Sequence, residues 1–168
     1  MKALLYIFIF LAIASTVSAQ RSKSALLSSD EAEKVAKQCS RPSPKEFSDT
    51  WRPSTEQIKK MEGRLSDISK LRVKSCCIIG ATVEDPENWY LQYAALVWKG
   101  KKIIYINAVS RKEPERGPCA GKDGLIYDEH CESWKHQAWI VCDGGNSWGV
   151  VYDVAAAKFS ELAVNGIG

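Results

Sequence analysis

Several features that would assign this sequence to a familiar class of protein are missing. The net charge is only +3, which is too small to indicate a nucleic-acid-binding protein. Downstream of the amino terminus, no apolar run approaches the roughly 20 residues that span a bilayer. No asparagine lies in an Asn-x-Ser/Thr motif, so nothing indicates a eukaryotic glycoprotein. We therefore expect neither a nucleic-acid partner nor a membrane span in the mature chain.

Motifs that carry chemistry are also missing. The sequence has no G-x-S-x-G, no Gly-rich phosphate loop opening a helix and no metalloprotease motif. It contains only two histidines, and neither C-x-x-C nor H-x-x-x-H occurs. These absences predict a protein without a cofactor or a metal ion, and they make an enzyme the less favoured interpretation.

What the sequence does contain begins with an export signal. Lys2 supplies a positive start, Leu4 to Ala14 form an apolar run, and Val17-Ser18-Ala19 has the small residues of a cleavage site. Cleavage after Ala19 would leave Gln20 as the first residue. We therefore expect a secreted or periplasmic protein.

All six cysteines lie downstream of this signal, where an oxidising compartment favours disulfides. Six cysteines allow 15 pairings, and the sequence does not choose among them. We expect Cys39 to anchor the first helix. The predicted disulfide residues are Cys39, Cys76, Cys77, Cys119, Cys131 and Cys142.

Spacing favours some of these pairings over others. Cys76 and Cys77 are adjacent, so on a strand they would point to opposite faces and bind different partners. Cys119 and Cys131 form the natural local pair, and Cys142 could pair with Cys76 or Cys77.

Two alternatives to structural disulfides remain open. A zinc site could draw on Cys119, His130, Cys131, His136 and Cys142, although no zinc-type spacing is present. A thiol enzyme would need a reduced cysteine within reach of His130 or His136.

The chain divides into a signal peptide over 1–19, a flexible lead-in over 20–28 and a single domain over 29–168. Apolar residues at helical spacing predict a short first helix from Ser29 to Cys39. A second, long helix should begin at Ser54, where Gln57 completes a capping box. Its apolar stripe comprises Ile58, Met61, Leu65, Ile68 and Leu71.

Strand patterns follow the second helix. Runs rich in aromatic and β-branched residues predict strands at Val73–Val83, Tyr90–Trp98, Lys102–Val109, Ala138–Cys142, Trp148–Asp153 and Phe159–Val164. Ala138–Cys142 should form a hairpin with Trp148–Asp153. The predicted fold class is α+β, with the long helix packed on a curved antiparallel sheet of about five strands, an architecture like that of cystatins.

The loop from Ser110 to Ser133 has no sustained period, and a loop of this length in a compact domain is usually functional or disordered. Trp134 directly follows this loop, and Trp148 follows the glycine-rich segment Asp143-Gly144-Gly145-Asn146. If exposed together, these two indoles would form an anchor for a protein or glycan; core packing is the alternative. The predicted binding residues are Trp134, Asp143, Asn146, Trp148 and His130.

The carboxyl-terminal part of the chain has a series of short motifs, namely Cys142-Asp143-Gly144-Gly145, Trp148-Gly149, Tyr152-Asp153, Phe159 and Asn165-Gly166, with Trp51-Arg52-Pro53 and Gln57-Ile58 upstream. In these motifs the chain resembles small exported bacterial proteins of unknown function. The resemblance implies a bacterial envelope or secreted setting and transfers no catalytic residue.

The leading functional hypothesis is therefore an exported, non-enzymatic binding protein with a protein partner, as an inhibitor or immunity-type partner of a cell-envelope enzyme would be. The alternative is a small envelope hydrolase that uses His130 or His136 with a thiol or nearby carboxylates such as Asp128, Glu129 and Glu132.

Overall fold

The computed structural model describes residues 23–39, 41–109, 133–142 and 147–166; the predicted signal peptide and most of the 110–133 loop lie outside them. The strands are β1 (Ser24–Leu26), β2 (Phe47–Thr50), β3 (Tyr90–Trp98), β4 (Lys101–Val109), β5 (Ser147–Asp153) and β6 (Lys158–Val164). The α-helices are α1 (Ser29–Ala36) and α2 (Thr55–Glu62). Short 3₁₀ helices cover Leu65–Lys70, Pro86–Asn88 and Ser133–Lys135.

The strands form one six-stranded mixed sheet in the order β1-β3-β4-β5-β6, with β2 also paired to β3. β1 runs parallel to β3, and the other pairs are antiparallel. The lead-in predicted over 20–28 contains β1, whose Ser24 aligns with Leu91 of β3. Residues 24–28 are therefore part of the folded domain.

The predicted α+β fold with a long helix on an antiparallel sheet is wrong. The capping box at Ser54 and Gln57 is confirmed, but α2 ends at Glu62 with Gly63 as its C-cap. A separate 3₁₀ helix, Leu65–Lys70, then continues the apolar stripe. Glycine is a poor helix former, so the regular helix ends there although the stripe does not. The fold is mixed α/β.

Helices cover both faces of the sheet. Met61 of α2 and Ile68 of the following 3₁₀ helix pack with Tyr93 and Ile104 on one face. Val35 of α1 belongs to a second cluster on the other face. Because β3 and β4 are covered on both sides, their centres are continuously buried and do not alternate between buried and exposed positions.

Two predicted strands are absent from the described residues. Residues 73–81 form a closed loop in which Val73 N–H donates to Ala81 O (2.9 Å) and Gly80 N–H donates to Val73 O (2.8 Å). Residues 138–142 are not a strand either, and β5 pairs with β4 and β6 instead of with them. The predicted hairpin of Ala138–Cys142 with Trp148–Asp153 is therefore wrong.

Two disulfides are present among the described residues. Cys39 and Cys142 are joined with their Cα atoms 5.1 Å apart, which links the end of the α1 segment to residue 142. Cys76 and Cys77 are joined to each other. The expectations that Cys142 pairs with Cys76 or Cys77, and that these two bind different partners, are therefore wrong.

Cys119 and Cys131 lie outside the described residues, so their predicted pairing stays a prediction. In the part of the chain that the structure describes, no helix is long and apolar enough to cross a membrane.

The two disulfides should differ sharply in their effect on stability. The Cys39–Cys142 bond closes a loop with a sequence separation of 103, whereas Cys76–Cys77 closes a separation of 1. Because loop-closure entropy grows with loop length, Cys39→Ser with Cys142→Ser should lower the free energy of unfolding by about 2–4 kcal/mol. The matched double variant Cys76→Ser with Cys77→Ser should lose less than about 1 kcal/mol. Urea unfolding of both double variants measures the difference. Equal losses of unfolding free energy would contradict the assignment of Cys39–Cys142 as the long-range disulfide and Cys76–Cys77 as the local one.

Candidate functional site

A buried polar cluster lies on the face of the sheet that α1 covers. Its members are Gln38, Arg41, Gln92, Asn107, Ser147 and Asn165, all of them buried. Gln92 of β3 and Asn107 of β4 are direct cross-strand partners, so the sheet register brings them together. Gln38 and Arg41 reach this face from the segment that follows α1. We call these six residues the polar cluster.

Arg41 is the charged member of the polar cluster and is only 2% exposed. Its Nε–H donates to Tyr105 Oη (3.0 Å), and one terminal nitrogen donates to Ser147 Oγ (3.2 Å) and to Asn165 Oδ1. The other terminal nitrogen donates to Asn107 Oδ1. None of the ion pairs among the described residues involves Arg41. Neutral oxygens therefore replace the water that a buried guanidinium loses, which limits its desolvation cost.

Amide side chains of the polar cluster hold the backbone of residues 133–142. Gln92 Nε2 donates to Trp134 O (2.7 Å) and to Gln137 O (2.6 Å). The same side chain accepts a hydrogen bond from Trp139 N–H through Oε1 (2.9 Å). One glutamine thus satisfies three backbone groups that would otherwise need a strand partner.

The side-chain amides of Gln38, Asn107 and Asn165 also bind the backbone of this segment. Gln38 Oε1 accepts from Val141 N–H (3.2 Å), and Asn165 Nδ2 donates to Val141 O (2.8 Å). Asn107 Nδ2 donates to Trp139 O (2.9 Å). Because side chains satisfy these backbone groups, the segment docks on the sheet without becoming the strand that its sequence predicts.

Glu31 of α1 makes a further contact to this segment. Its Oε2 accepts from Ala138 N–H (2.6 Å), while Oε1 accepts from Lys34 Nζ (2.6 Å). The hydrogen bond from Lys34, followed by that from Ala138, holds the pKa of Glu31 below its ordinary value of 4.5.

The docked segment forms one wall of a cleft of about 530 Å³. The other walls come from the end of β1, the start of α1 and the residues at and after the end of β2. The lining residues are Leu26, Leu27, Ser28, Ser29, Thr50, Trp51, Arg52, Lys135 and His136. We call this opening the basic cleft.

The basic cleft is lined by groups that suit an anion. Arg52 and Lys135 carry positive charge, His136 adds an imidazole, and none of the described lining residues has a carboxylate. In the described part of the chain, no ion pair involves the Arg52 guanidinium. Thr50 Oγ1 donates to Ser29 Oγ (3.0 Å), so hydroxyl groups are also available. The cleft can therefore present charged and neutral donors to a carboxylate or another oxyanion.

Trp51 forms a fixed wall of the basic cleft. Its indole Nε1–H lies 3.1 Å from both Leu96 O and Ile103 O, which holds the ring against the sheet. Lys102 Nζ lies 5.2 Å from the ring centroid, within cation–π range.

The structure places two of the predicted binding residues in the core. Trp134 is buried against Tyr90, with ring centroids 4.9 Å apart, and Trp148 is buried edge-on against Trp89 at 5.9 Å. These indoles pack inside the protein and do not form an exposed anchor. The other predicted binding residues, His130, Asp143 and Asn146, lie outside the described residues, and their role stays a prediction.

His136, the histidine considered for a hydrolase, lies exposed in the basic cleft. Among the described residues, its side chain has neither an ion pair nor a hydrogen bond to a carboxylate. Every cysteine in the described part of the chain is in a disulfide, and no group of three potential metal ligands occurs there. His130 lies outside the described residues.

The sequence offered few signals for the residues that build this site. Gln92 and Asn107 each interrupt an apolar strand, and a polar residue in that position indicates a buried hydrogen bond. Arg41 lies in an irregular segment before Pro42 and has no periodic context. Its buried position depends on partners that are 64 to 124 residues away.

Comparisons with family models, with curated proteins and with solved structures give no match to this chain. The resemblance to small exported bacterial proteins therefore stays a prediction.

The close packing around Arg41 predicts that Gly149 cannot be replaced. A Cβ atom there would lie 2.2 Å from Tyr105 Oη and 2.8 Å from Arg41 Nε. Gly149→Ala should therefore lower the free energy of unfolding by about 2 kcal/mol or more, because a buried ring or guanidinium must move. Gly63→Ala is the matched control, since its Cβ would meet nothing closer than 3.4 Å at an ordinary helical φ of −63°. The control should be neutral or stabilising by up to about 1 kcal/mol in thermal unfolding.

The contacts of Glu31 predict a loss of stability in acid. Its lowered pKa means that the stabilisation is present above about pH 4.5 and is lost as the pH falls through the folded-state pKa. Glu31→Gln should therefore be less stable than the wild type near pH 6, and this difference should be smaller near pH 2.5. Thermal unfolding at both pH values measures this, with Glu33→Gln of the same helix as control. A deficit of Glu31→Gln that is independent of pH would contradict the prediction.

Proposed function

We propose that this chain is an exported, non-enzymatic binding protein that recognises an acidic segment of a protein partner in the basic cleft. An inhibitor or immunity-type partner of a cell-envelope enzyme is the specific form that we propose. The observation that carries the proposal is a cleft whose described lining includes Arg52, Lys135 and His136 and has no carboxylate. The Cys39–Cys142 disulfide is compatible with the oxidising location that export would provide.

The chemistry of the lining suits a carboxylate-bearing side chain. Arg52 can bind a carboxylate through two parallel N–H donors, and Lys135 adds a second cation. Leu26 and Leu27 provide an apolar surface for the methylene groups of the same segment. A volume of about 530 Å³ falls within the usual range of ligand-binding clefts, so one or two acidic residues can enter.

The cleft is also built on fixed elements. The two backbone acceptors orient Trp51, and Gln92 holds the backbone at Trp134 and Gln137 on either side of Lys135 and His136. A site that is already ordered loses less conformational entropy on binding, which favours a binding function.

The proposal predicts charge-specific binding of an acidic peptide. Tetraglutamate should bind to the chain comprising residues 20–168 and raise its melting temperature, whereas tetraglutamine should not. Arg52→Ala with Lys135→Ala should weaken tetraglutamate binding at least about tenfold, because two charge-assisted hydrogen-bond donors are lost. Isothermal titration calorimetry measures the affinity.

The matched control is Lys37→Ala with Lys45→Ala, which removes the same charge from two exposed positions outside the cleft. This control should change the affinity less than about twofold. If both double variants weaken binding equally, the effect is one of net charge and the cleft is not the site. His136→Ala tests the hydrolase alternative, since a hydrolase that uses His136 should lose peptide turnover while staying folded, whereas a binding protein has no turnover to lose.

A further inference from the structure

A second surface lies on the side of the sheet that α2 covers, and it exposes aliphatic side chains. Residues 72–81 form a loop that is closed by the two hydrogen bonds between Val73 and the Gly80–Ala81 pair. Within it, Ile78 is 36% exposed and Ile79 is 74% exposed. Most of the Ile79 side chain therefore lies in water, where it is available to an apolar environment, and Ile78 beside it is partly exposed. We call residues 72–81 the isoleucine loop.

The base of the isoleucine loop is cationic. Arg72 and Lys74 line a cleft of about 420 Å³ between the loop and β6, and Lys158 of β6 lines it from the other side. No ion pair in the described part of the chain uses any of these three cations. Arg72 donates one hydrogen bond to Gly80 O (3.3 Å), which holds it to the loop.

Asp67 and Glu161 are acidic residues near this cleft. Asp67 is paired with Lys70 (2.7 Å) and with Arg64 (3.0 Å), so its charge is already balanced. Among the described residues that line the cleft, Glu161 is the one with a carboxylate, against the cations Arg72, Lys74 and Lys158. The described lining of the cleft therefore carries a net positive charge.

We propose that the isoleucine loop docks the protein on the surface of an anionic lipid bilayer. Ile78 and Ile79 enter the boundary between the headgroups and the acyl chains, while Arg72, Lys74 and Lys158 bind lipid phosphates. Ile79 lies five positions after Lys74, and a chain of that length spans at most about 18 Å, so both side chains can meet the same area of membrane.

An anionic bilayer accounts for both the exposed isoleucines and the cations of this surface. A soluble anion would explain the unpaired cations but leave the isoleucines in water. An apolar protein surface would cover the isoleucines but leave three cations without partners. An anionic membrane places a layer of phosphates directly above hydrocarbon, which is the arrangement that amphipathic membrane-binding surfaces use. The inference goes beyond the proposed protein-binding function and involves a different surface.

Vesicle co-sedimentation tests the proposal on residues 20–168, so that the apolar signal does not contribute. The chain should sediment with vesicles of 30% phosphatidylglycerol in phosphatidylcholine, with a partition coefficient at least about tenfold above that for pure phosphatidylcholine. High salt should reduce this difference, because the attraction to lipid phosphates is screened.

Two variants test the apolar and the cationic part of this surface separately. Ile79→Ser should lower the partition coefficient for the anionic vesicles about tenfold through the lost apolar burial. Lys74→Gln with Lys158→Gln should lower it about 25-fold, at about fivefold per lost cation. All three side chains lie at the surface or at an open cleft, so the variants should fold, and circular dichroism checks this.

Matched controls define the outcomes. Ile140→Ser removes another exposed isoleucine, which is 43% exposed, and Lys37→Gln with Lys45→Gln removes two remote cations. Neither control should change the partition coefficient more than about twofold. The proposal is overturned if Ile79→Ser and Ile140→Ser change the partition coefficient equally. It is also overturned if the double variant at Lys74 and Lys158 and the double variant at Lys37 and Lys45 change it equally.

The remaining outcomes separate other ligands. Loss of binding in Lys74→Gln with Lys158→Gln but not in Ile79→Ser would indicate an anion site without insertion and overturn the proposal. Failure to sediment with either vesicle, together with Ile79-dependent dimers in analytical ultracentrifugation, would assign the isoleucines to a protein contact and overturn it too. Arg52→Ala with Lys135→Ala should keep vesicle binding, which makes this test independent of the basic cleft.

Discussion

The burial of one guanidinium group is the constraint on which much of this structure depends. Arg41 lies under the α1 side of the sheet, where a charge is tolerated only if its N–H groups have acceptors. Asn107, Ser147 and Asn165 supply these acceptors from β4, β5 and the end of β6. Gly149 leaves the space that the guanidinium and the Tyr105 ring occupy. Three strands and the segment after α1 are thus held in one arrangement.

The amide groups around Arg41 extend this order to a segment with little regular structure. Gln38, Gln92 and Asn107 bind the backbone of residues 133–142, and the disulfide from Cys39 fixes the end of that segment. The basic cleft takes one wall from this segment, so its shape depends on the polar cluster. The proposed binding site thereby lies partly on irregular backbone that is held by many specific contacts.

The two proposed binding surfaces are formed by different segments of the chain. The basic cleft borders the start of α1, whereas the isoleucine loop follows the 3₁₀ helix that packs with α2. Because the two surfaces share no lining residue, the two proposals are compatible with a protein partner and a membrane being bound together. Such an arrangement would suit a protein that acts on a target at the envelope surface.

The sequence alone determined the central strands and the start of α2. β3 covers the predicted range, and β4, β5 and β6 each begin one residue earlier than predicted, because dense β-branched and aromatic runs favour extended backbone. The Lys99–Gly100 turn has positive φ at both residues, as the tight hairpin requires. Only the tertiary structure decided the length of α2, the disulfide partners, the buried indoles and the polar cluster. These features depend on contacts such as Gln38 with Val141, 103 residues apart, and contacts at that separation leave no local period in a sequence.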